Sequence, residues 1–567
     1  MKRWKTIEID EHAVSDLADR LKIPHPIAAA YVSRGYTEDI RSFLQPRLSE
    51  LSDPFLLPDM LTAVECIWHA IDTHQTIIVY GDYDVDGITS TALLINVLQQ
   101  LGASVNYFLP HRVDDGYGLR IDTLKRCVEQ LNPQLIITVD CGTNSIEAVE
   151  HAKTLNIDVI ITDHHEPDQE VAKALALVNP KLGTCEETKM LAGVGVAFKL
   201  CHALLKQARI QDRPQAHEID LRNHLDLVAT GTITDIVPLV GENRILVKHG
   251  LERLTQTTSV GFKELIEVAG ISGEIDTYHV GFMLGPRLNA AGRLGTAEVS
   301  LALLLTDDAD KALSLAKQLD ATNRERKETE LKTFEEAMND VEMCFDPDTQ
   351  YCLVSVGENW HPGVIGIVAS RICQRFNRPS IVIAMDSTGI GKGSCRSISA
   401  FNMAAGLGAC AEHLKTFGGH SMAAGLEITT EHVASFKQQI NQVAADTLRS
   451  KDLRPVQRID AWIDLSEVND SLLTALNTFR PFGQGNSRPI WATRRVNMMG
   501  QPRVVGKNHL KMTVVSGGTE IDTIGFGLGE REIPDGPIDI AFYPQINLFQ
   551  GRDRLQLNLQ DFRPATE

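Results

Sequence analysis

From residue 75 to about 180 the chain alternates short β-branched apolar runs with segments of helical period, and few folds tolerate that rhythm. "QTIIVY" (75–80), "SVNYFLP", "QLIITVD" (134–140), "DVIITD" (158–163) and "LALVNP" (175–180) each have the length and composition of a buried strand. Between them lie "ITSTALLINVLQQLG", "IDTLKRCVEQL" and "NSIEAVEHAKTLN", whose apolar residues recur at helical spacing. Strands buried on both faces and joined through helices predict a parallel, doubly wound α/β sheet. Such sheets bind ligands beyond the carboxyl ends of their strands. Those ends are where function is to be sought.

At 567 residues the chain exceeds one ordinary core and predicts three or four domains. Residues 221–305 are mostly helical by period. Residues 307–345 form a long charged stretch with few breakers, a connecting helix. A second α/β segment starts at "YCLVSVGENWHPGVIGIVASRICQRF" and runs to about 450. Beyond it, "HLKMTVV", "EIDTIGFGL", "IDIAFYPQIN" and "RLQLNLQDF" alternate with period two between Gly and Asp, which predicts a small β-barrel. The expected divisions are therefore 1–60, 61–306, 307–345, 346–450 and 451–567.

No apolar run approaches the ~20 residues of a membrane span, and "MKRWKTIEIDEHAVSDLADR" has no apolar stretch of the secretory kind. Ten cysteines are scattered without a CxxC pair, as expected of reduced, buried thiols in a cytoplasmic protein. The net charge of -19 argues against a general nucleic-acid coat protein. Charge is unevenly spread, however. The stretch from Arg480 to Lys511 has seven Lys/Arg and no acid, and Arg371 to Arg396 holds five basic residues against Asp386 alone. Either stretch is a solvated surface or a seat for a polyanion.

The strand ends themselves carry an unusual set of side chains. The first run is followed by Asp82, Asp84 and Asp86, the third by Asp140, and the fourth by Asp163, His164 and His165. In a parallel sheet all of these converge on one edge. Five carboxylates in one crevice repel one another strongly without cations. Carboxylate with some imidazole suits Mn²⁺ or Mg²⁺ better than the thiolate-rich sites of structural zinc. "DYDVDG" also matches the start of an EF-hand loop, but its twelfth position is Leu93 rather than a bidentate Glu, and a strand precedes it. Helix N-capping explains one of these Asp residues and not the set. A further acid, Asp235, stands between an apolar helix and Val237-Pro238 in "NHLDLVATGTITDIVPL". Two metals sharing a carboxylate activate water for attack on phosphorus. A neighbouring imidazole stabilises the phosphoryl oxygen or protonates the leaving group. Side chains alternate along a strand, so His164 and His165 are expected to point oppositely and to differ in role.

The triplet Asp163-His164-His165, with "GDYDVDGITSTALL", "VDCGTNS", "TGTITDIVPL" and "GPRLNAAGRLGTA", resembles the DHH phosphoesterase superfamily. "GGHSMAAGLEI" and "GKGSCRS" are similar to the DHH-associated substrate-binding domain. Within the superfamily three features resemble the bacterial single-strand-specific DNA exonucleases: "SRGYTEDIRSFLQPRLSELSDPFLLPDM", "PRLNAAGR", and a basic β-rich tail like their OB-fold. The resemblance covers essentially the whole chain. It implies a parallel-sheet DHH domain, a long connecting helix, a smaller α/β DHH-associated domain and an OB-fold-like barrel. The implied activity is a metal-dependent 5′→3′ exonuclease releasing 5′-mononucleotides from single-stranded DNA in repair and recombination. Two Mn²⁺ or Mg²⁺ ions are implied, bound by Asp84, Asp86, Asp140, His164 and Asp235. Asp82 joins that set at a position near which the pyrophosphatase branch places a histidine. The resemblance makes Asp140 the bridge, His165 the contact to the scissile phosphate and Asp163 the residue that orients a neighbouring histidine. It also implies a monomer with a RecQ-type helicase and a single-strand-binding protein as partners. Two alternatives share the scaffold: a phosphodiesterase on short oligonucleotides or cyclic dinucleotides, and an inactive single-strand-binding scaffold, although here every ligand position is filled.

Several residues along the chain suit a substrate path. Arg287, Asn289 and Arg293 sit in "GPRLNAAGRLG", and an Arg fork binds two phosphate oxygens at once. Lys392, Ser394, Arg396 and Ser397 lie amid glycines, as a pocket for a terminal phosphate, and His420 follows on a Gly-Gly turn. Arg112, near Tyr117 after the second strand, is either a substrate contact or an ordinary loop arginine. In the tail, Arg494, Arg495, Arg503, Lys507 and Lys511 flank a β-run in the manner of single-strand-binding barrels. Trp491 and Phe482 are either stacking residues or core.

Overall fold

Every apolar run of the first segment forms a strand in the computed structural model, which describes residues 2–38, 40–112, 114–549 and 552–565. The strands are β1 (Thr76–Gly81), β2 (Ser104–Phe108), β3 (Leu135–Val139), β4 (Asp158–Thr162) and β5 (Ala176–Val178). All neighbours are parallel, in the order β2-β1-β3-β4-β5. The order reverses between β1 and β3, and such a switch point opens a crevice at the carboxyl edge. Register does the rest. Gly81 pairs with Val139 and Val139 with Thr162, so the next residues, Asp82, Asp140 and Asp163, leave the sheet side by side.

Helix α1 (Val85–Gln100) begins three residues earlier than its apolar period suggests, because Asp84 caps it. One Asp84 oxygen accepts from the backbone N–H of Asp86 at 2.9 Å and of Gly87 at 3.2 Å. Gly87 must lack a side chain: a Cβ there would stand 2.6 Å from the Asp82 carbonyl oxygen. Almost all of α1 is buried, packed between the sheet and the helices α2 (Gly193–Ile210) and α3 (Leu225–Thr234). Within this core α2 carries a fully buried cation, Lys199. Its Nζ donates to Glu242 Oε1 at 2.9 Å and to the Ser52 carbonyl at 2.9 Å. Glu242 Oε1 also accepts from the Ser52 N–H at 2.7 Å.

The connecting helix α4 (Ala309–Cys344) runs for 36 residues and leads to a second sheet. Its strands are β6 (Leu353–Glu358), β7 (Ser380–Met385), β8 (Ile390–Arg396), β9 (Thr416–Gly419) and β10 (Ala423–Thr429), in the order β9-β10-β8-β7-β6. Only β6 and β7 are parallel, and helix α5 (Pro362–Phe376) joins them. Both sheets belong to one compact unit, residues 46–448 with a short excursion at 483–486.

The second unit combines the residues up to Gln45 with 449–482 and those from Ser487 onward. Strands Trp491–Val505, His509–Ser516, Thr519–Phe526, Ile538–Phe549 and Arg552–Pro564 form a five-stranded barrel, closed where the first pairs with the fourth. The N-terminal helices Glu11–Leu21 and His25–Val32 share its core. Tyr31 stacks on Phe479 with centroids 4.1 Å apart, and the fully buried Trp491 donates its indole N–H to the Pro26 carbonyl. Trp491 is therefore core and not a stacking surface. The ten cysteines form no disulfide, and seven are buried. Among the described residues no helix is long and apolar enough to cross a membrane.

Removing one partner of a buried ion pair leaves the other charge uncompensated. Lys199→Met should destabilise the larger unit by ~3–5 kcal/mol, and Lys199→Met/Glu242→Leu should recover most of that loss. Urea unfolding midpoints of the three proteins compare them directly.

Candidate metal centre and substrate crevice

Three strand ends and two helix ends bring seven metal-competent side chains together. Asp82, Asp84 and Asp140 form one group, Asp86, His164 and Asp235 a second, and Asp140, His164 and His165 a third. Within each group the ligand atoms lie within 4.8 Å of one another. Nε2 of His164 is 3.1 Å from Asp140 Oδ1, 3.6 Å from Asp235 Oδ2 and 3.8 Å from Asp86 Oδ2. Asp140 sits with φ of 62°, in the left-handed region. Its aim is thus set by backbone as well as rotamer, and Asp tolerates this region better than most residues.

The first turn of α2 holds this arrangement. The N–H groups of Gly193 and Val194 donate to the two oxygens of Asp86, at 2.6 and 2.9 Å, as a helix N-terminus favours anions. A Cβ on Gly193 would stand 2.7 Å from both Cβ and Oδ1 of Asp140. Only glycine permits that approach.

Among the described residues the cluster has far more carboxylates than cationic groups. Asp82 Oδ1, Asp140 Oδ1 and His164 Nε2 are buried with no hydrogen-bond partner, a costly state for polar atoms. Burial, with Asp86, Asp84, Asp235 and Asp82 nearby, pushes Asp140 well above the usual carboxylate range, and burial beside Asp84 does the same to Asp82. Burial and the neighbouring carboxylates raise Asp86 to about 7 and Asp235 to about 9. Burial, reinforced by His165, lowers His164 to about 3, so its imidazole is neutral and has a lone pair to give. Orphaned oxygens, one neutral imidazole and no thiolate suit Mn²⁺ or Mg²⁺. The residues fit the ions.

Asp163 belongs to a different circuit. Burial alone would raise its pKa, but its bonds outweigh that and hold it below the usual range. Its Oδ1 accepts from Nδ1–H of His165 at 2.8 Å and from the N–H groups of His164 and His165 at 2.8 and 3.2 Å. Its Oδ2 accepts from the Thr143 N–H at 2.9 Å. The histidine it orients is His165. Burial lowers the pKa of His165, yet the bond and charge of Asp163 prevail and raise it. The two imidazoles do not point oppositely, as strand alternation had suggested. Their centroids are 4.5 Å apart, because the chain leaves β4 at Thr162 and alternation ends there. They differ in role through their partners. Asp84 serves twice, as the cap of α1 and as a member of the cluster.

A crevice of about 520 Å³ opens between the two sheets of this unit, lined by Tyr83, Arg112 and Tyr117 on one side and Pro362, Lys392, Ser394 and Phe417 on the other. The Arg112 guanidinium lies 4.8 Å over the Tyr83 ring. Arg293 and Arg396 stand one hydrogen bond behind the wall: Arg293 donates to the Gly363 carbonyl at 3.1 Å and Arg396 to Ser394 Oγ at 3.2 Å. Burial and then Arg112 lower Arg293 to about 9. Burial, with Arg112 adding to it, also lowers Arg396. Among the described residues these three crowded guanidiniums form no ion pair with a carboxylate. Asn289 keeps a buried Oδ1 without a partner.

Two of the residues expected on the substrate path spend their side chains elsewhere. Arg287 donates to Asp320 of α4 at 3.0 Å and to the Met283 carbonyl at 2.7 Å, pinning its helix. The Ser397 hydroxyl donates to the Phe401 carbonyl at 2.7 Å. His420 is exposed and makes only a backbone bond, to the Ala423 carbonyl, among the contacts described. Sequence reasoning gave no role to Tyr117, whose hydroxyl donates to the Asp140 carbonyl at 3.1 Å and lies 2.8 Å from Nδ1 of His165. Its signal, a lone tyrosine in the loop after β2, is slight.

Known families match in three places: the DHH family N-terminal domain over residues 76–232, the DHHA1 domain over 348–446 and the RecJ OB domain over 459–561. The chain is 38% identical over 569 residues to the single-stranded-DNA-specific exonuclease RecJ of Bacillus subtilis, covering 99% of this chain and 70% of that one. The crystal structure of RecJ from Thermus thermophilus in complex with Mn²⁺ matches with a TM-score of 0.86 at 29% identity, covering 100% of this chain and 80% of that one. Its complex with Mg²⁺ matches with a TM-score of 0.80 at 28% identity, covering 100% and 79%.

Asp86 and Asp235 bind protons more tightly folded than unfolded, so their protonated forms favour the fold at low pH. That stability is lost as pH rises through about 7 and about 9. In EDTA the melting temperature should therefore fall by several degrees between pH 6 and pH 10. Saturating Mn²⁺, which binds the folded state, should remove most of the fall. Asp140→Asn should flatten the EDTA profile and shrink the Mn²⁺ shift.

Proposed function

The chain belongs to the RecJ family of single-stranded-DNA-specific exonucleases, and we propose that it degrades single-stranded DNA from the 5′ end to 5′-mononucleotides in a metal-dependent reaction. One observation carries this reading: carboxylates short of positive charge stand beside guanidiniums short of negative charge. A phosphodiester with its metal ions answers both shortages.

Asp82, Asp84, Asp86, Asp140, His164 and Asp235 would hold two Mn²⁺ or Mg²⁺ ions, and Asp140, the carboxylate common to two of the three groups, would be the residue they share. When bound, such a pair lowers the pKa of a water nucleophile and offsets charge on the phosphate. His165 turns Nδ1 to Asp163, which leaves Nε2 to donate to a phosphoryl oxygen. Tyr117 and Asp163 together fix that ring. Ser394, Arg396 and Arg112, with the N-terminal turn of α5 at the crevice wall, suit a terminal phosphate. A crevice of this size takes the end of one strand and excludes a duplex. In the barrel, Arg503 lies directly opposite Lys511 on the neighbouring strand. Like charges so paired repel unless a polyanion lies over them. Work in repair and recombination as a cytoplasmic monomer, alongside a RecQ-type helicase and a single-strand-binding protein, completes the reading.

The test is degradation of 5′- and 3′-labelled single strands, duplex and a dinucleotide, with Mn²⁺ or EDTA. The wild type should release mononucleotide at once from the 5′ label of single strands only. EDTA or Asp140→Ala should abolish release, as loss of a metal ligand costs several orders of magnitude in rate. Cleavage of the dinucleotide alone would replace this reading with a small-substrate phosphodiesterase. Arg396→Ala should raise KM for 5′-phosphorylated strands by roughly tenfold to a hundredfold, with a smaller effect on 5′-hydroxyl ends.

A further inference from the structure

A pair of exposed aromatic rings stands on a helical stretch that packs against the end of α3, with no role in anything described so far. Tyr278 and Phe282 lie four residues apart on one helical stretch. Their rings stack with centroids 5.1 Å apart and planes inclined by 28°. Tyr278 is 60% and Phe282 69% exposed. Single exposed apolar residues are ordinary, but a stacked pair held in water is not a way to fill a core. The stretch runs from Thr277 to Leu294, and its middle turn, Val280–Leu284, is a π-helix. Such turns are rare and occur mostly at functional sites.

The π turn packs against the end of α3 that delivers Asp235. A methyl group at Gly281 would stand 3.9 Å from the Ile233 side chain, and one at Gly285 2.4 Å from that of Thr234. Asp235 follows directly. After it comes Ile236, a β-branched residue with φ of 62° and 70% exposed. A β-branched side chain in the left-handed region is strained, and such strain persists where the surroundings require it. Two packed segments therefore present three large apolar side chains to solvent, one of them adjacent to a metal ligand.

We propose that Tyr278 and Phe282, on the stretch packed against the segment that ends in Asp235 and Ile236, form a stacking platform for bases of the strand whose phosphate lies at the metal cluster. This rests on the single-strand exonuclease reading and deepens it. The occupant follows from continuity with that site. A single strand at the cluster has unstacked bases, and every base offers a π-face to a ring without regard to sequence. The platform binds bases, and the guanidiniums and metal cluster bind the backbone. A substrate without bases loses only the first contribution.

The measurement is KM and kcat on a 5′-phosphorylated oligothymidylate and on the same strand with abasic positions next to its 5′ end, with Mn²⁺. In the wild type the abasic strand should show KM raised roughly tenfold, as stacking of one to two bases provides. Tyr278→Ala/Phe282→Ala should show that raised KM on the intact strand and no further rise on the abasic one. Tyr278→Leu/Phe282→Leu, which keeps apolar bulk without a ring, should behave alike, and Tyr278→Phe/Phe282→Tyr should restore wild-type values. A retained Mn²⁺-dependent melting shift certifies each variant as folded. Wild-type KM on the intact strand in both ring-less variants, or undiminished discrimination against the abasic strand, overturns the platform. A concentration-dependent dimer that these variants abolish without a change in KM assigns the patch to a second copy of the chain and overturns it too. Absence of any single-strand cleavage by the wild type would instead overturn the exonuclease reading on which the platform rests.

Discussion

Mutual repulsion among buried carboxylates is the constraint on which the rest of this structure depends. The parallel sheet forces Asp82, Asp140 and Asp163 to emerge side by side, and α1 and α3 add Asp84, Asp86 and Asp235. The fold meets the repulsion locally where it can. Asp84 accepts from two helix amides, Asp86 from two others, and Asp163 from three amides and an imidazole. What remains uncompensated is Asp82, Asp140 and Asp235, of which Asp140 and Asp235 flank His164. Asp163 is the acid whose bonds leave it outside the cluster, whereas Asp84 and Asp86 accept from helix amides and still belong to it.

Much of this was legible in the chain. Buried parallel strands carry a composition of their own, and the convergence of strand ends follows from parallel pairing alone, so the metal group could be assembled from residues more than eighty positions apart. Asp235 was weaker, because an acid before a turn is common, and only its position at the end of α3 distinguishes it. Arg287 shows the opposite failure. An arginine among small residues suits phosphate, but the partner that claims it, Asp320, lies on a helix whose docking no local pattern encodes. The partner of Asp163 was hidden for a similar reason: choosing between His164 and His165 needs the backbone path after Thr162. The first 45 residues give no sign that they fill the barrel core, since an amphipathic helix does not announce which surface it covers.

Charge in the barrel unit was legible as a count and less so as a surface. Two arginines of the basic stretch are held over aromatic rings: Arg494 over Trp462 at 4.7 Å, and Arg488 over Phe482 at 4.9 Å and Tyr543 at 4.5 Å. Such contacts fix the guanidinium plane and bury its stem. These cations are thus pre-oriented, whereas Arg503 and Lys511, facing each other across two strands, are merely crowded. The two groups differ in what an approaching polyanion would gain from them, orientation in one case and relief of repulsion in the other.

Gly193 ties two parts of the acidic cluster into one mechanical unit. Its amide binds Asp86, and its missing side chain makes room for Asp140. The loops after β1 and β3 therefore cannot drift independently. A change that moves either carboxylate is transmitted through the first turn of α2 to the other, so positions 86, 140 and 193 are mechanically linked. Engineers seeking a different metal preference would have to redesign that helix start along with the ligands.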